Sequence, residues 1–403
     1  MVRLTSGRDF RLIWTAGTVS QLGDWSARLA LALLVLERDG SAATVGMIAV
    51  LYTIPWLGLG QALTTWSAKF TRRGVMITCD SIRAVCFVLI GFVDMDTVPL
   101  LVIVGIAAMA DPVFEATKSA FVTEIVSTDD YAEAIQVTHV ANQSASLLGY
   151  ALGGVLVGLM GAETTLVLNG ASFLLSAILV SAVRSRGGHE SDEVAKPSLR
   201  AGLRFLRLDP LSALAFGATL IAATTAMSVE SQVAVYGTAV AEFSEGWIGI
   251  LSAVTPAATL VAVAVLKMDG TDGGLFTRVL VAGGLSAAAA SVMFFVGVGG
   301  VGAFVAFGLL GVIFVVVTTT NVVVGRRLPD SNRVSIFSIL QSGVFLGLSL
   351  GAFLGGVLSE ATSPEVAAGS AMAVCAVGLL LVVPFAFDRP RHSEERPRTR
   401  WAR

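Results

Sequence analysis

Twelve long apolar runs divide this chain, and they constrain its fold more than any other feature of the sequence. A helix needs about 20 mostly apolar residues to cross the hydrocarbon core of a membrane. The predicted spans are Leu12–Leu36, Ala43–Thr65, Val75–Val93, Pro99–Phe121, Ala132–Leu159, Thr164–Val183, Leu211–Val233, Trp247–Leu266, Thr277–Val296, Gly302–Val324, Val334–Leu358 and Val366–Phe387. The sequence therefore predicts an all-helical integral membrane protein with twelve transmembrane helices.

The composition excludes the main alternatives. Charged residues make up 14% of the chain and hydrophobic residues 55%, whereas a soluble protein carries about 25% charged residues. This is too little charge for the surface of a soluble enzyme and too much apolar surface for a disordered chain. The chain has no metal-ligand spacing and no phosphate-binding loop, so we expect neither an enzyme nor a cofactor. Basic runs occur only beside the spans, which argues against nucleic-acid binding.

Lysine and arginine indicate the orientation in the membrane. Twelve spans place both termini on one side, and the loops and tail of that side hold nearly all the basic residues. Among the opposite loops only Arg38 is basic, beside several acids. Since cytoplasmic loops are enriched in Lys and Arg, we expect a multi-pass protein of the cell membrane with both termini cytoplasmic.

The longest polar stretch, residues 184–210, separates six spans from six. We therefore predict a six-helix bundle over 1–183, a cytoplasmic linker over 184–210, a second bundle over 211–387 and a basic tail over 388–403. Within the linker, Ser198–Leu208 has leucines on one face and arginines beside them, the pattern of an amphipathic helix lying on the inner leaflet. Membrane lipids are therefore expected partners, although these arginines can equally serve to set the topology.

An internal repeat relates the two halves. Residues 143–153 (QSASLLGYALG) and 341–351 (QSGVFLGLSLG) share Gln, Ser, Leu, Gly, Leu and Gly in register. These segments lie in the fifth and eleventh spans, which hold the same place in each half. The repeat is therefore parallel, with both halves crossing the membrane in the same order.

Three stretches carry a family resemblance: residues 72–84 (RRGVMITCDSIRA), residues 10–14 and 22–25 (FRLIW and LGDW), and residues 327–334 (RLPDSNRV). They resemble the major facilitator superfamily, and within it the branch of enterobactin-exporter-like and macrolide-efflux-like permeases. The resemblance implies two six-helix bundles around a central cavity lined by the first, fourth, seventh and tenth helices.

The sequence departs from the family at two motifs. Ala68 stands where the family loop has an Asp that helps to latch the cytoplasmic gate, and Tyr150 stands where the fifth helix of antiporters has Pro. These two departures leave open whether antiport is retained. An alternative latch is offered by Asp80 and Arg83, three residues apart on one helical face. The predicted gating residues are Lys69, Arg72, Arg73, Asp80, Arg83, Lys118, Glu230 and Arg333.

Asp24 is the principal candidate for a proton or substrate site. It lies about twelve residues into the first span, and a charge at that depth costs roughly 2.5–3.5 kcal/mol. Gln21 and Arg28 share its helical face. Asp24 therefore either alternates between proton and substrate or forms a static pair with Arg28 that sets helix packing.

Each of the remaining candidate residues has two possible roles. Asp111 and Glu115 share one face of the fourth span with Lys118, and they either line the cavity or form an inner-gate salt bridge. Asn321 in the tenth span either lines the cavity or makes a hydrogen bond between helices. Glu230 either gates the outer mouth or is an ordinary interfacial acid.

The expected function is a secondary transporter that exports a small, partly hydrophobic molecule by alternating access. Protons are the expected coupling ion, through antiport, and a monomer is expected. Two alternatives stay open: a facilitator or importer of the same fold without proton coupling, and a non-transporting membrane scaffold or receptor derived from a transporter.

Overall fold

The computed structural model describes residues 7–57, 67, 69–126, 131–184, 199–266, 272–328 and 333–387. Within these ranges the chain forms fourteen α-helices and no strand. The helices are α1 (Arg8–Asp39), α2 (Ala42–Thr53), α3 (Arg72–Phe92), α4 (Thr97–Ile125), α5 (Tyr131–Met160), α6 (Ala162–Ser181), α7 (Leu199–Leu208), α8 (Pro210–Glu230), α9 (Val233–Ala239), α10 (Glu245–Leu266), α11 (Asp272–Phe295), α12 (Val301–Arg327), α13 (Arg333–Ala361) and α14 (Pro364–Phe387).

Eleven of the helices in the described ranges are long and apolar enough to cross a membrane. They correspond to eleven of the twelve predicted spans. The second predicted span is described only over Ala42–Leu57, where α2 continues into a 3-10 turn at Ile54–Leu57. Its remainder, with Ala68 of the loop motif, lies outside the described residues. The narrow gap between the ninth and tenth spans is confirmed, because α11 and α12 are joined by a turn in which Gly297 and Gly300 have positive φ.

The helices pack as two bundles. Helices α1 to α6 pack mainly on one another, and α8 to α14 do the same. We call these bundles the N-half and the C-half. The halves meet where α2 packs on α13 and α5 packs on α10. We call the end of the bundle at which α1 begins the terminal end, and the end at which α1 finishes the distal end.

Glycines join the halves toward the distal end. A Cβ added at Gly46 of α2 would lie 2.6 Å from the Ala352 carbonyl oxygen of α13, and one added at Gly249 of α10 would lie 2.6 Å from Cα of Gly154 in α5. Gly356 of α13 likewise meets the backbone of α2. We call Gly46, Gly154, Gly249 and Gly356 the distal seam. Only glycine allows these backbones to approach so closely.

The cap of α2 reinforces this contact. Glu360 of α13 accepts hydrogen bonds from the Ser41 hydroxyl at 2.8 Å and from the Ala43 amide at 3.0 Å. A carboxylate at a helix N-terminus is stabilised by free amide groups and by the helix dipole. Helix α2 therefore takes part of its N-terminal cap from the opposite half.

The predicted amphipathic helix is α7. Phe205 is buried in the core of the C-half, and Gly202 packs on Ile339 of α13. Leu203 and Leu208 are exposed, which is the arrangement of a helix that rests on a lipid surface. The first part of the predicted linker, residues 185–198, lies outside the described residues.

An ion pair anchors the junction between α7 and α8. Arg327 at the end of α12 donates to both carboxylate oxygens of Asp209, at 2.6 and 2.7 Å, and the Ser212 hydroxyl donates to Asp209 at 2.5 Å. Burial opposes ionisation of Asp209, but the hydrogen bonds from Arg327 and Ser212 outweigh it, and the pKa of Asp209 lies below its ordinary value.

Candidate functional site

Asp24 and Arg28 form an ion pair near the middle of α1. Arg28 donates from Nε at 3.2 Å and from Nη2 at 3.1 Å, both to Oδ2 of Asp24. The Asp24 side chain is 12% exposed and that of Arg28 is 24% exposed. The pair is therefore inside the protein at membrane depth, but part of each side chain remains accessible.

Two aromatic rings hold the Arg28 guanidinium. Its central carbon lies 4.3 Å from the centroid of Trp25 and 4.2 Å from the centroid of Tyr52 in α2. Tyr150 of α5 packs against Trp25 with ring centroids 5.2 Å apart. Cation–π contacts in a desolvated site contribute roughly 2 kcal/mol. Arg28 is therefore placed by α1 and α2 together, rather than by Asp24 alone.

A second arginine, Arg83 of α3, lies between two carboxylates. Its Nη2 donates to Asp80 at 2.7 Å, and its Nη1 donates to Asp111 of α4 at 3.4 Å. Phe114 and Phe173 pack against the guanidinium, with centroids at 4.6 and 4.4 Å. The predicted pairing of Asp80 with Arg83 is present, but it lies inside the N-half among α3, α4 and α6. A gating role for these two residues stays a prediction.

The third charged group of the N-half joins α4 to α1. Glu115 accepts hydrogen bonds from Lys118 at 2.5 Å and from Gln21 at 3.1 Å. Lys118 is buried and lies close to Gly17 of α1. It lines a cavity of about 10 Å³, a volume for about one water molecule.

The C-half has a different interior. Within the described ranges, charged residues of its spans lie near the helix ends, and the polar groups farther inside are neutral. Asn321 of α12 accepts from Gln341 of α13 at 3.2 Å, which places the predicted residue in an interhelical hydrogen bond. Both line a second cavity of about 10 Å³. The two cavities occupy equivalent places in the repeat, since the first lies among α1, α4 and α5 and the second among α8, α12 and α13.

Two basic residues at the start of α3 bind to the ends of other helices in the N-half. Arg72 pairs with Glu124 and donates to the Ala120 carbonyl at 2.8 Å, both near the end of α4. Arg73 donates to the Ser181 carbonyl at the end of α6. Lys69 is exposed. The predicted gating residue Arg333 begins α13, and its side chain lies outside the described residues.

Glu230 ends α8 at the break before α9. The break consists of Ser231 and Gln232, after which Val233 begins α9. Glu230 is partly buried. The described residues include no hydrogen-bond or ion-pair partner for its carboxylate.

Several of these residues could not be selected from the sequence alone. Tyr52 and Phe173 each support an arginine from a different helix, and their ring types alone do not distinguish this from lipid contact. The Gly153-Gly154 dipeptide is a sequence feature that indicates close helix packing. Neighbouring positions on a helix point about 100° apart, so two consecutive glycines allow close packing on two sides. Gly153 meets Ser26 of α1 within the N-half, and Gly154 meets the C-half.

Two helical bundles with a repeated arrangement, and a charged cluster at membrane depth in one of them, define a membrane transporter of the major-facilitator fold. Solved structures agree with this class. A bacterial homologue of the human lysosomal transporter Spinster in an inward-facing, occupied conformation superposes with a TM-score of 0.75 at 14% identity, covering 94% of this chain and 95% of that one. The nucleoside transporter NupG gives a TM-score of 0.74 at 12% identity, covering 95% and 100%.

Residues 5–403 match the family described as transmembrane secretion effector, and the chain belongs to that family of major-facilitator transporters. The MFS-type transporter YfiS of Bacillus subtilis (strain 168) is 23% identical over 354 residues, 85% of each chain. The multidrug efflux pump Tap of Mycobacterium tuberculosis is 25% identical over 209 residues, 48% of this chain and 50% of that protein. The family and its structural neighbours are transporters, not enzymes.

Proposed function

We propose that this protein exports a small, partly hydrophobic molecule in exchange for protons, with Asp24 and Arg28 at the centre of the site. The observation that carries the proposal is the Asp24–Arg28 pair at membrane depth, partly accessible and flanked by Trp25 and Tyr52. A buried ion pair repays its desolvation only with good geometry, and ionisable groups in a membrane interior mark transport pathways by default. The aromatic rings beside it suit an apolar part of the cargo.

The orientation and the direction belong to the proposal. The basic loops put the terminal end in the cytoplasm and the distal end outside. The distal seam then closes the outer mouth, and cargo reaches the site from the cytoplasm. Export is supported by the similarity to the multidrug efflux pump Tap.

The test uses everted membrane vesicles with ethidium as the transported probe. Wild-type vesicles should accumulate ethidium when a proton gradient is imposed and lose it when an uncoupler collapses the gradient. Asp24→Asn should abolish this accumulation, because Arg28 is then left without its carboxylate. Asp94→Asn is the control, since Asp94 is a surface acid with a 95% exposed side chain.

Unchanged pH-dependent accumulation in Asp24→Asn would refute the role of Asp24. Entry of ethidium into wild-type vesicles that only equilibrates, at the same rate with and without the pH and electrical gradients, would indicate a facilitator instead.

A further inference from the structure

The charges of the N-half interior do not cancel. Asp24, Arg28, Asp80, Arg83 and Asp111 form a cluster, which we call the five-residue cluster, with three carboxylates and two guanidinium groups. Arg28 is the counter-charge of Asp24, because it donates two hydrogen bonds to the Asp24 carboxylate. Arg83 is shared between the two remaining carboxylates. One carboxylate is therefore in excess.

The sharing of Arg83 is unequal. Asp80 is fully buried and 2.7 Å from Arg83, whereas Asp111 is 3.4 Å from it and its side chain is 15% exposed. The Arg83 guanidinium is fixed between Phe114 and Phe173. The Nε of Arg83 is buried and has no hydrogen-bond partner among the described residues, so Arg83 binds the two carboxylates through its Nη atoms alone. Asp80 also keeps one buried oxygen, Oδ2, without a hydrogen-bond partner among the described residues, but it holds the short bond to Arg83. Asp111 is therefore the carboxylate with the longer, weaker bond to Arg83 and the better access to water.

The groups around Asp111 do not supply the missing positive charge. Arg28 of α1 is already paired with Asp24, and Tyr52 of α2 carries no charge at neutral pH. On its own helix, Glu115 is neutralised by Lys118 at 2.5 Å. An uncompensated carboxylate in a low-dielectric interior is costly, and binding a proton removes that cost.

We propose that Asp111 is the carboxylate that binds and releases the coupling proton, while Asp24 remains paired with Arg28. Asp80 and Arg83 act as positioning residues. The step is a proton transfer alone: the Asp111 carboxylate takes a proton from water on one side of the membrane, becomes a carboxylic acid, and returns the proton to water on the other side. This inference rests on the proposed proton-coupled transport.

The test detects the proton without any cargo. Purified protein in lipid nanodiscs is titrated with pH, and infrared difference spectra record the C=O stretch of protonated carboxyl groups. Wild type should show such a band that titrates well above the range of exposed carboxyl groups. In a Glu230→Gln background, which removes the other interior carboxyl group without a partner among the described residues, Asp111→Asn should remove the band, and Asp111→Glu should retain it at a shifted frequency. Asp94→Asn is the control, because the Asp94 side chain is 95% exposed and outside the cluster, and it should retain the band.

Asp80→Asn separates positioning from a purely structural role. Without Asp80, Arg83 serves Asp111 alone, which favours the ionised form, so the band should persist and titrate at lower pH. A purely structural Asp80 would leave the midpoint unchanged in every folded variant.

A band that survives intact in folded Asp111→Asn overturns the inference, even if wild-type vesicles transport ethidium by a proton gradient. Loss of gradient dependence in wild-type vesicles would instead refute the proposed function, whatever the spectra show. The two failures are therefore distinguishable.

Discussion

The distal seam gives the most direct prediction about conformation. A Cβ added at Gly249 would lie 2.6 Å from Cα of Gly154 and 2.8 Å from its amide nitrogen. Carbon atoms in contact are about 3.5–4.0 Å apart, so Gly249→Ala requires a displacement of about 1 Å between α5 and α10. Overpacking of this kind costs about 1–3 kcal/mol. The cost applies only while the seam is closed, so the open population should rise about 5- to 150-fold.

The assay places a cysteine reporter in the second contact between the halves, where α2 packs on α13. The hydroxyl oxygens of Thr53 in α2 and Ser349 in α13 lie 2.7 Å apart across it, and Ser349 is buried. A Ser349→Cys reporter is therefore shielded when the halves are together. Maleimide labelling in nanodiscs should be faster by that factor in Gly249→Ala. The native cysteines are buried, so the background should be low.

The matched control is Gly246→Ala, which lies three residues earlier in α10. A Cβ at Gly246 meets nothing within 4 Å, so this variant should label at the wild-type rate. Equal labelling rates in Gly249→Ala and Gly246→Ala would refute the reasoning that the glycine contact holds the distal end closed.

Two further predictions concern stability. Arg83→Met should lower the free energy of unfolding by about 3–5 kcal/mol, because it leaves Asp80 buried without a counter-charge, and Arg83→Lys should lower it less. Thermal unfolding in detergent measures both variants. A melting temperature of Arg83→Met equal to that of wild type would contradict the packing described. Asp209→Asn should cost about 0.5–1 kcal/mol near neutral pH. The pKa of Asp209 is lowered by folding, so its contribution is complete above about pH 4 and is lost as the pH falls further. A wild-type advantage that grows with acidification would contradict that sign.

The spans could be predicted from the sequence because the membrane fixes their length and excludes unpaired backbone groups. Eleven predicted spans have counterparts among the described helices, and the short separation between α11 and α12 lies where the ninth predicted span ends at Val296 and the tenth begins at Gly302. The pairings of Asp24 with Arg28 and of Asp80 with Arg83 were also predictable, since residues three or four apart on a helix are neighbours.

Contacts between helices were harder to predict. The approach of Asp111 to Arg83 depends on how α4 lies against α3, and no pattern within either helix specifies that register. The same holds for Tyr52 beside Arg28. Glycines recur at 343, 347, 351 and 355 of α13, but Gly351 and Gly355 meet α8 of their own half. The glycine of this segment that contacts the other half is Gly356, one residue after Gly355.

The five-residue cluster has an electrical consequence. With a proton on Asp111 its net charge is zero, and without the proton it is −1. A membrane potential contributes about 2.3 kcal/mol per elementary charge per 100 mV, and it acts only on the form that carries charge. For a neutral cargo, an inside-negative voltage would therefore assist the outward movement of the loaded, unprotonated carrier, and the protonated carrier would return without moving charge. Voltage and pH would then act on opposite halves of the cycle.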